Sequence, residues 1–115
     1  MSRRTERIND QLREEISDLV LRELKDPRIS GLVSITEVDA APDLSHAKVF
    51  VSVLGSDEER ASTMRALAAG AQFVRRELRR RLTIRRVPEL EFLADDSLAH
   101  GARILSLLDE THEGA

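Results

Sequence analysis

Cysteine, tryptophan and tyrosine are absent from this chain of 115 residues, and phenylalanine occurs three times. Without thiols there is no disulfide, no thiolate nucleophile and no cysteine-bound zinc, which accords with a cytoplasmic setting. The scarcity of rings removes the stacking platforms on which many single-strand binders lay their bases. Any contact with nucleic acid must therefore lean on arginine and on backbone groups. Long apolar runs are missing too. Nothing approaches the roughly 20 residues that a membrane span needs, and no apolar segment follows Arg3 and Arg4, so the N-terminus does not read as a secretory signal. Histidine is sparse: His46, His100 and His112 stand far apart, no two at metal-ligand spacing and none placed to activate a nucleophile. Asp95, Asp96 and His100 imitate a metal cluster, but Asp96 and Ser97 fit better as the lead-in and cap of a last helix. There is no glycine-rich phosphate loop. These absences argue against an enzyme, a cofactor, a metal and a small-molecule substrate.

Charge is what the chain has in plenty. With 41% apolar and 34% charged residues it reads as one domain over residues 1–115, with a core over about 5–108 and a short polar tail at 111–115. The formal net charge is -3, yet residues 75–86 read R-R-E-L-R-R-R-L-T-I-R-R. That is seven arginines in twelve residues, with Glu77 the sole acid. A basic block kept intact in an acidic chain is a localised field, and arginine's planar fork suits phosphate. A solvated helix face without a partner is the plain alternative. The acids gather elsewhere: after Pro88, seven of them face only Arg103. That polarity would orient the domain on a polyanion, although simple charge balance accounts for it equally well.

Periodicity supplies the elements. Ile8, Leu12, Ile16, Leu19, Val20 and Leu24 form one apolar stripe of a helix over 5–24, which Asp26-Pro27 stops. Residues 32–40, with β-branched Val33, Ile35, Thr36 and Val38, read as a strand, and 41–45 is turn chemistry. A second strand over 46–54 places Ala47, Val49, Val51 and Val53 on one face and His46, Lys48, Phe50 and Ser52 on the other. The two form an antiparallel hairpin. Ser56 and Glu59 have capping-box spacing ahead of a helical pattern over 57–83. Leu67, Ala71, Val74, Leu78 and Leu82 share one side of it, and Arg75, Arg76, Arg79 and Arg80 the other. A helix so long is expected to bend at Gly70, a poor helix former. Phe73 falls among the arginines unless that bend returns it to the core, which is the favoured place for it. A third strand over 84–94 carries Leu90 and Phe92 inward and Glu89 and Glu91 outward, with Pro88 marking an edge or bulge. A last amphipathic helix over 97–109 carries Ile104, Leu107 and Leu108. The expected architecture is α+β, a small sheet backed by helices.

A small-residue turn between two helices is how K-homology domains meet a nucleic acid backbone, through a Gly-x-x-Gly loop; here an arginine face begins five residues after the turn. Gly70 and Ala71 offer the turn without the second glycine. Several short motifs in a fixed order then resemble ribosome-binding factor A, a bacterial assembly factor of the small ribosomal subunit. They are Glu6-Arg7-Ile8, Lys25-Asp26-Pro27-Arg28, Asp43-Leu44, Ala47-Lys48-Val49-Phe50-Val51, Phe73-Val74-Arg75, Arg81-Leu82, Val87-Pro88-Glu89-Leu90-Glu91-Phe92, Asp96-Ser97-Leu98 and Gly101-Ala102-Arg103-Ile104.

The resemblance implies a type II KH-like fold of order α-β-β-α-(bend)-α-β plus a C-terminal helix, with a three-stranded mixed sheet. The family's Ala-x-Gly bend corresponds here to Gly70, Ala71 and Gln72, where both the alanine and the glycine are altered. It further implies binding to free small subunits and their 16S rRNA, support for late rRNA processing and for growth in the cold, no catalysis, and no membrane. On this reading the protein is a cytoplasmic monomer. Arg75, Arg76, Arg79 and Arg80 hold phosphates, Arg85 and Arg86 extend the patch, and Arg3, Arg4 and Arg7 contribute secondarily. A protein–protein adaptor with an acidic partner and a general RNA chaperone are the other readings of the same arginine face.

Overall fold

Leu12, Ile16 and Leu19 lie on one side of a helix and are wholly buried, which fixes how the N-terminal third meets the rest of the molecule. The computed structural model describes residues 3–29 and 32–95, of residues 3 and 4 the backbone alone. The expected helix over 97–109, the polar tail, Asp96, His100 and His112 lie outside the described residues. Helix α1 runs Arg3–Asp18 and passes directly into a π-helical turn, Leu19–Glu23, close to the expected span. The wide turn is closed by Leu24 N–H donating to the Leu19 carbonyl at 2.8 Å. A π turn inserts one residue into the helical register. Here it buries the neighbours Leu19 and Val20 together and delivers Leu24 to the second helix.

Strands β1 (Leu32–Ala40) and β2 (His46–Leu54) form the antiparallel hairpin that the alternation indicates, with a bulge between Ile35 and Glu37. Asp43 accepts from both the Ser45 backbone N–H and its hydroxyl, and Leu44 takes a left-handed φ of 57°. Non-glycine residues seldom adopt that conformation. Its side chain is packed against the core, which offsets the strain. Strand β3 (Glu89–Ala94) lies parallel to β2, so the order β1-β2-β3 makes a mixed three-stranded sheet with β2 at the centre. The α+β architecture is as expected. Ala47, Val49 and Val51 of β2 are fully buried beneath the helices, and Leu90 and Phe92 of β3 pack inward while Glu89 and Glu91 are exposed. Each fully buried aliphatic side chain contributes about 1.5–3 kcal/mol relative to exposure.

Two expectations need correction. Strand β3 begins at Glu89, not at residue 84. Ile84 and Val87 both turn to the core, a spacing of three that no strand allows, and buried Pro88 has no N–H for the ladder. The helical pattern after Ser56 is also not divided at Gly70, Ala71 and Gln72. Helix α2 is a single element, Asp57–Arg81, entered through the expected capping box: Glu59 N–H donates to Ser56 Oγ at 3.1 Å and Ser56 N–H to Glu59 Oε1 at 3.0 Å. Gly70 serves close approach instead of a bend. A Cβ there would stand 2.8 Å from Leu24 Cδ1 and 3.0 Å from Leu24 Cδ2. Phe73 packs against the core without any break in the helix.

Among the described residues no helix is long and apolar enough to cross a membrane, and no cluster of metal-ligating side chains forms.

Gly70 and Leu24 are therefore coupled. Gly70→Ala gains about 1 kcal/mol of helix propensity but must displace the Leu24 methyls. In a Leu24→Ala background the same substitution is expected to stabilise by about the full 1 kcal/mol, and by clearly less in the wild type. Urea unfolding of the four proteins of the cycle measures the difference, and equal effects in both backgrounds would disprove the coupling.

Candidate nucleic-acid interface

The basic block is displayed at the C-terminal end of α2, whose twenty-five residues span about 37 Å. The apolar face of α2, with Leu67, Val74 and Leu78 fully buried, holds it down over the sheet. Its last turn, between buried Leu78 and Leu82, carries Arg79, Arg80 and Arg81, cations at the helix terminus where the macrodipole favours them.

Arg81 is the fastening at this end. Its Nη1 donates to Glu15 Oε2 at 3.0 Å and to Asp18 Oδ2 at 2.7 Å, and its Nη2 to Glu23 Oε1 at 3.0 Å. One guanidinium thus bridges α1, the π turn and α2, with only a quarter of its side-chain surface exposed. The hydrogen bond from Arg81 holds the Asp18 carboxyl below its ordinary range, and the carboxylates of Asp18 and Glu15 raise the guanidinium's own affinity for its proton.

The remaining arginines divide. Arg75 is half-buried, and its Nε and Nη2 donate to the Val87 carbonyl at 3.2 and 3.1 Å. It pins the connection between α2 and β3 while keeping part of its charge at the surface. Arg76 and Arg79 are exposed and have no hydrogen-bond or ion-pair partner among the described residues. Arg80 is 80% exposed and only 3.9 Å from Glu77, a contact worth little in water. Arg85 and Arg86 are exposed between two anchors, Ile84 and Val87, which face the core. Arg75, Arg79, Ile84, Arg85, Arg86 and Val87 together line a cleft of about 360 Å³. The structure thus brings Arg75, Arg79, Arg85 and Arg86 to one site, with Arg76 and Arg80 on the adjoining face of α2.

The N-terminal arginines fall differently. Asn9 Oδ1 accepts from the Ala40 N–H at 2.9 Å, so this end of α1 stands at the hairpin-turn end of the sheet. The Glu89 N–H donates to the Ser45 carbonyl there, and Arg86 lies close enough to help depress the Asp43 carboxyl, after the larger effects of the Ser45 hydroxyl and N–H. Arg7 is exposed at that same end, whereas the side chains of Arg3 and Arg4 lie outside what is described. Arg65 is another exposed, unpartnered arginine of α2 among the described residues, outside the basic run that drew attention to its neighbours. Other cations are already engaged: Arg22 with Asp18, Arg28 with Asp26, and Arg60 with Asp57.

A cleft lined by four arginines with no acid among its lining residues has the chemistry that suits an anionic ligand. Comparison with known proteins bears on what it receives. A family profile described as ribosome-binding factor A matches residues 4–108. The ribosome-binding factor A of Acetivibrio thermocellus is 50% identical over 108 residues, covering 94% of this chain and 88% of that one. Its counterpart in Synechocystis is 50% identical over 109 residues, covering 94% and 82%. The crystal structure of ribosome-binding factor A from Thermus thermophilus superposes with a TM-score of 0.68 at 29% identity, over 78% of this chain and 93% of the other. A homology model of the Thermus thermophilus factor, fitted into the cryo-EM map of a 30S complex, gives 0.62 at 30% identity over 76% and 91%.

Two measurements separate the fastening arginines from the free ones. Arg75→Ala should lower stability by about 1 kcal/mol through loss of the Val87 contacts, while Arg79→Ala and Arg86→Ala stay within about 0.5 kcal/mol of wild type. For Arg81→Gln the effect should depend on pH. The folded-state pKa of Asp18 lies below its unfolded value of about 3.9. The stability that Asp18 draws from Arg81 is therefore complete above that value and is lost as pH falls through the depressed folded one. Denaturation curves of wild type and Arg81→Gln should lie apart at neutral pH and converge below about pH 4; a gap unchanged in acid would refute the clamp.

Proposed function

The chain belongs to the ribosome-binding factor A family, and on that footing we propose that it binds the free small ribosomal subunit through 16S rRNA and assists late maturation and rRNA processing without catalysing a step. Its α+β, KH-like fold is that of the solved members. The observation that carries the proposal is the group of exposed arginines at a buttressed helix end, all but Arg80 unpaired among the described residues, joined to the family match over residues 4–108. Arg76, Arg79 and Arg80 on α2, with Arg85 and Arg86 on the connection, neutralise phosphates of neighbouring rRNA segments that would otherwise repel one another. Arg75 contributes the charge left over from its hold on Val87, and Arg3, Arg4 and Arg7 contribute secondarily. Shape selects the RNA, because A-form helices are read largely through backbone and minor-groove geometry. The protein works as a cytoplasmic monomer in this reading. The backbone that carries these arginines is held in place, so the ordering entropy that opposes docking is that of their side chains alone.

Five phosphate contacts imply that the logarithm of the binding constant falls with the logarithm of salt at a slope of about -4. Replacing Arg76, Arg79 and Arg80 by Glu should abolish co-sedimentation with free small subunits while the circular dichroism spectrum is unchanged. Retained co-sedimentation would overturn the proposal. So would association that survives nuclease removal of the RNA, which would show a protein to be the partner.

A further inference from the structure

Next to the arginine cleft, the hairpin turn holds a histidine whose proton is assigned by its neighbours. Ser45 Oγ lies 2.7 Å from Asp43 Oδ1 and 2.9 Å from His46 Nδ1. The serine hydroxyl has one proton to give, and a carboxylate can only accept. Asp43 is ionised at neutral pH, since the bonds from Ser45 lower its pKa further. The hydroxyl therefore donates to Asp43, and the ring reaches Ser45 Oγ only by donating from Nδ1–H. Neutral His46 then carries its proton on Nδ1, and Nε2 is left as a bare acceptor. The ring belongs to an exposed residue, and Nε2 has no partner among the described residues.

The surroundings say what that acceptor can take. His46 begins β2 on the sheet face turned away from the helices, and its parallel partner in register is Glu89. The two backbones stand one strand spacing apart, about 4.8 Å, and the side chains share a face, so an anionic oxygen is repelled by both the Glu89 carboxylate and the Nε2 lone pair. On the other side, the connection that carries Arg85, Arg86 and Val87 of the cleft runs straight into Glu89, whose N–H donates to the Ser45 carbonyl, which puts His46 beside the rim of the cleft. A polynucleotide whose phosphates occupy the arginines offers a hydroxyl donor one sugar away from each phosphate. We propose that His46 reads the ribose: its Nε2 accepts a hydrogen bond from a 2′-hydroxyl of the strand held by Arg85 and Arg86, making it a residue that distinguishes RNA from chains lacking that group. This rests on the RNA-binding reading of the cleft. The 2′-hydroxyl is the group by which a protein tells RNA from DNA at a given position.

The probe is an RNA hairpin, compared with the same hairpin bearing 2′-fluoro sugars, which removes the donor and keeps A-form geometry. Wild type should bind the hydroxyl form about fivefold more tightly, the scale of one neutral hydrogen bond. In His46→Asn the amide N–H replaces Nδ1–H toward Ser45 but nothing replaces Nε2, so the preference should fall to about one. His46→Gln, whose amide oxygen reaches toward the Nε2 position, should restore part of it. A His46→Asn variant that weakens both hairpins equally, or neither, overturns the inference; equal weakening would point to a base-edge contact. Nitrogen-15 NMR of the free protein gives a second readout: the Nδ1–H tautomer is expected for His46, and Nε2–H would overturn it. If wild type binds neither hairpin, the RNA-binding reading fails first, and the tautomer result still reports on the geometry.

Discussion

One arginine makes the others available. Without the contacts of Arg81 to Glu15, Asp18 and Glu23, the last turn of α2 would be a charged helix end with four unpaired carbonyls, freer to fray. Fraying would smear the field of Arg76, Arg79 and Arg80 over many directions. The clamp joins three acids on one side to one cation on the other, and this asymmetry matters. It leaves Glu15, Asp18 and Glu23 occupied with Arg81, so these three do not fold across to neutralise the free arginines. Arg75 repeats the arrangement at smaller scale, holding the Val87 carbonyl so that the connection carrying Arg85 and Arg86 keeps its course.

That division of labour was invisible in the chain. The run from 75 to 86 is uniform in chemistry, and nothing local marks Arg81 as structural. Its partners lie 58, 63 and 66 residues away in sequence. Features decided by near neighbours were legible: the capping box at Ser56 and Glu59, the alternation of β2, the stop at Asp26-Pro27. The family motifs also carried the α+β architecture and its mixed sheet. What failed did so where a tertiary contact overrides a local preference. Gly70 reads as a weak point, yet the helix continues because the residue's missing Cβ is the space that Leu24 fills, and burial of that contact offsets the lost propensity. Ile84 and Val87 read as strand because they are β-branched, although their spacing of three belongs to a turn that anchors twice. The π turn that aims Leu24 at Gly70 has no signature beyond two adjacent apolar residues, Leu19 and Val20.

The distribution of charge about the sheet completes the argument. On the face turned from the helices, Lys48 sits in register between Asp39 of β1 and Glu91 of β3, and His46 beside Glu89. The lysine is flanked on both sides by carboxylates at strand spacing, so its charge is offset and that face presents acid to an approaching polyanion. The cleft at the end of α2 has no acid in its lining. On the RNA-binding function proposed above, a strand drawn to the molecule would be repelled from the sheet and attracted to the helix end, which would select one orientation before any close contact forms. His46 would stand at the seam between these two fields, where phosphates are steered away and an uncharged hydroxyl is not. Attraction alone would hold any polyanion; the seam is where the chain can ask which one it has.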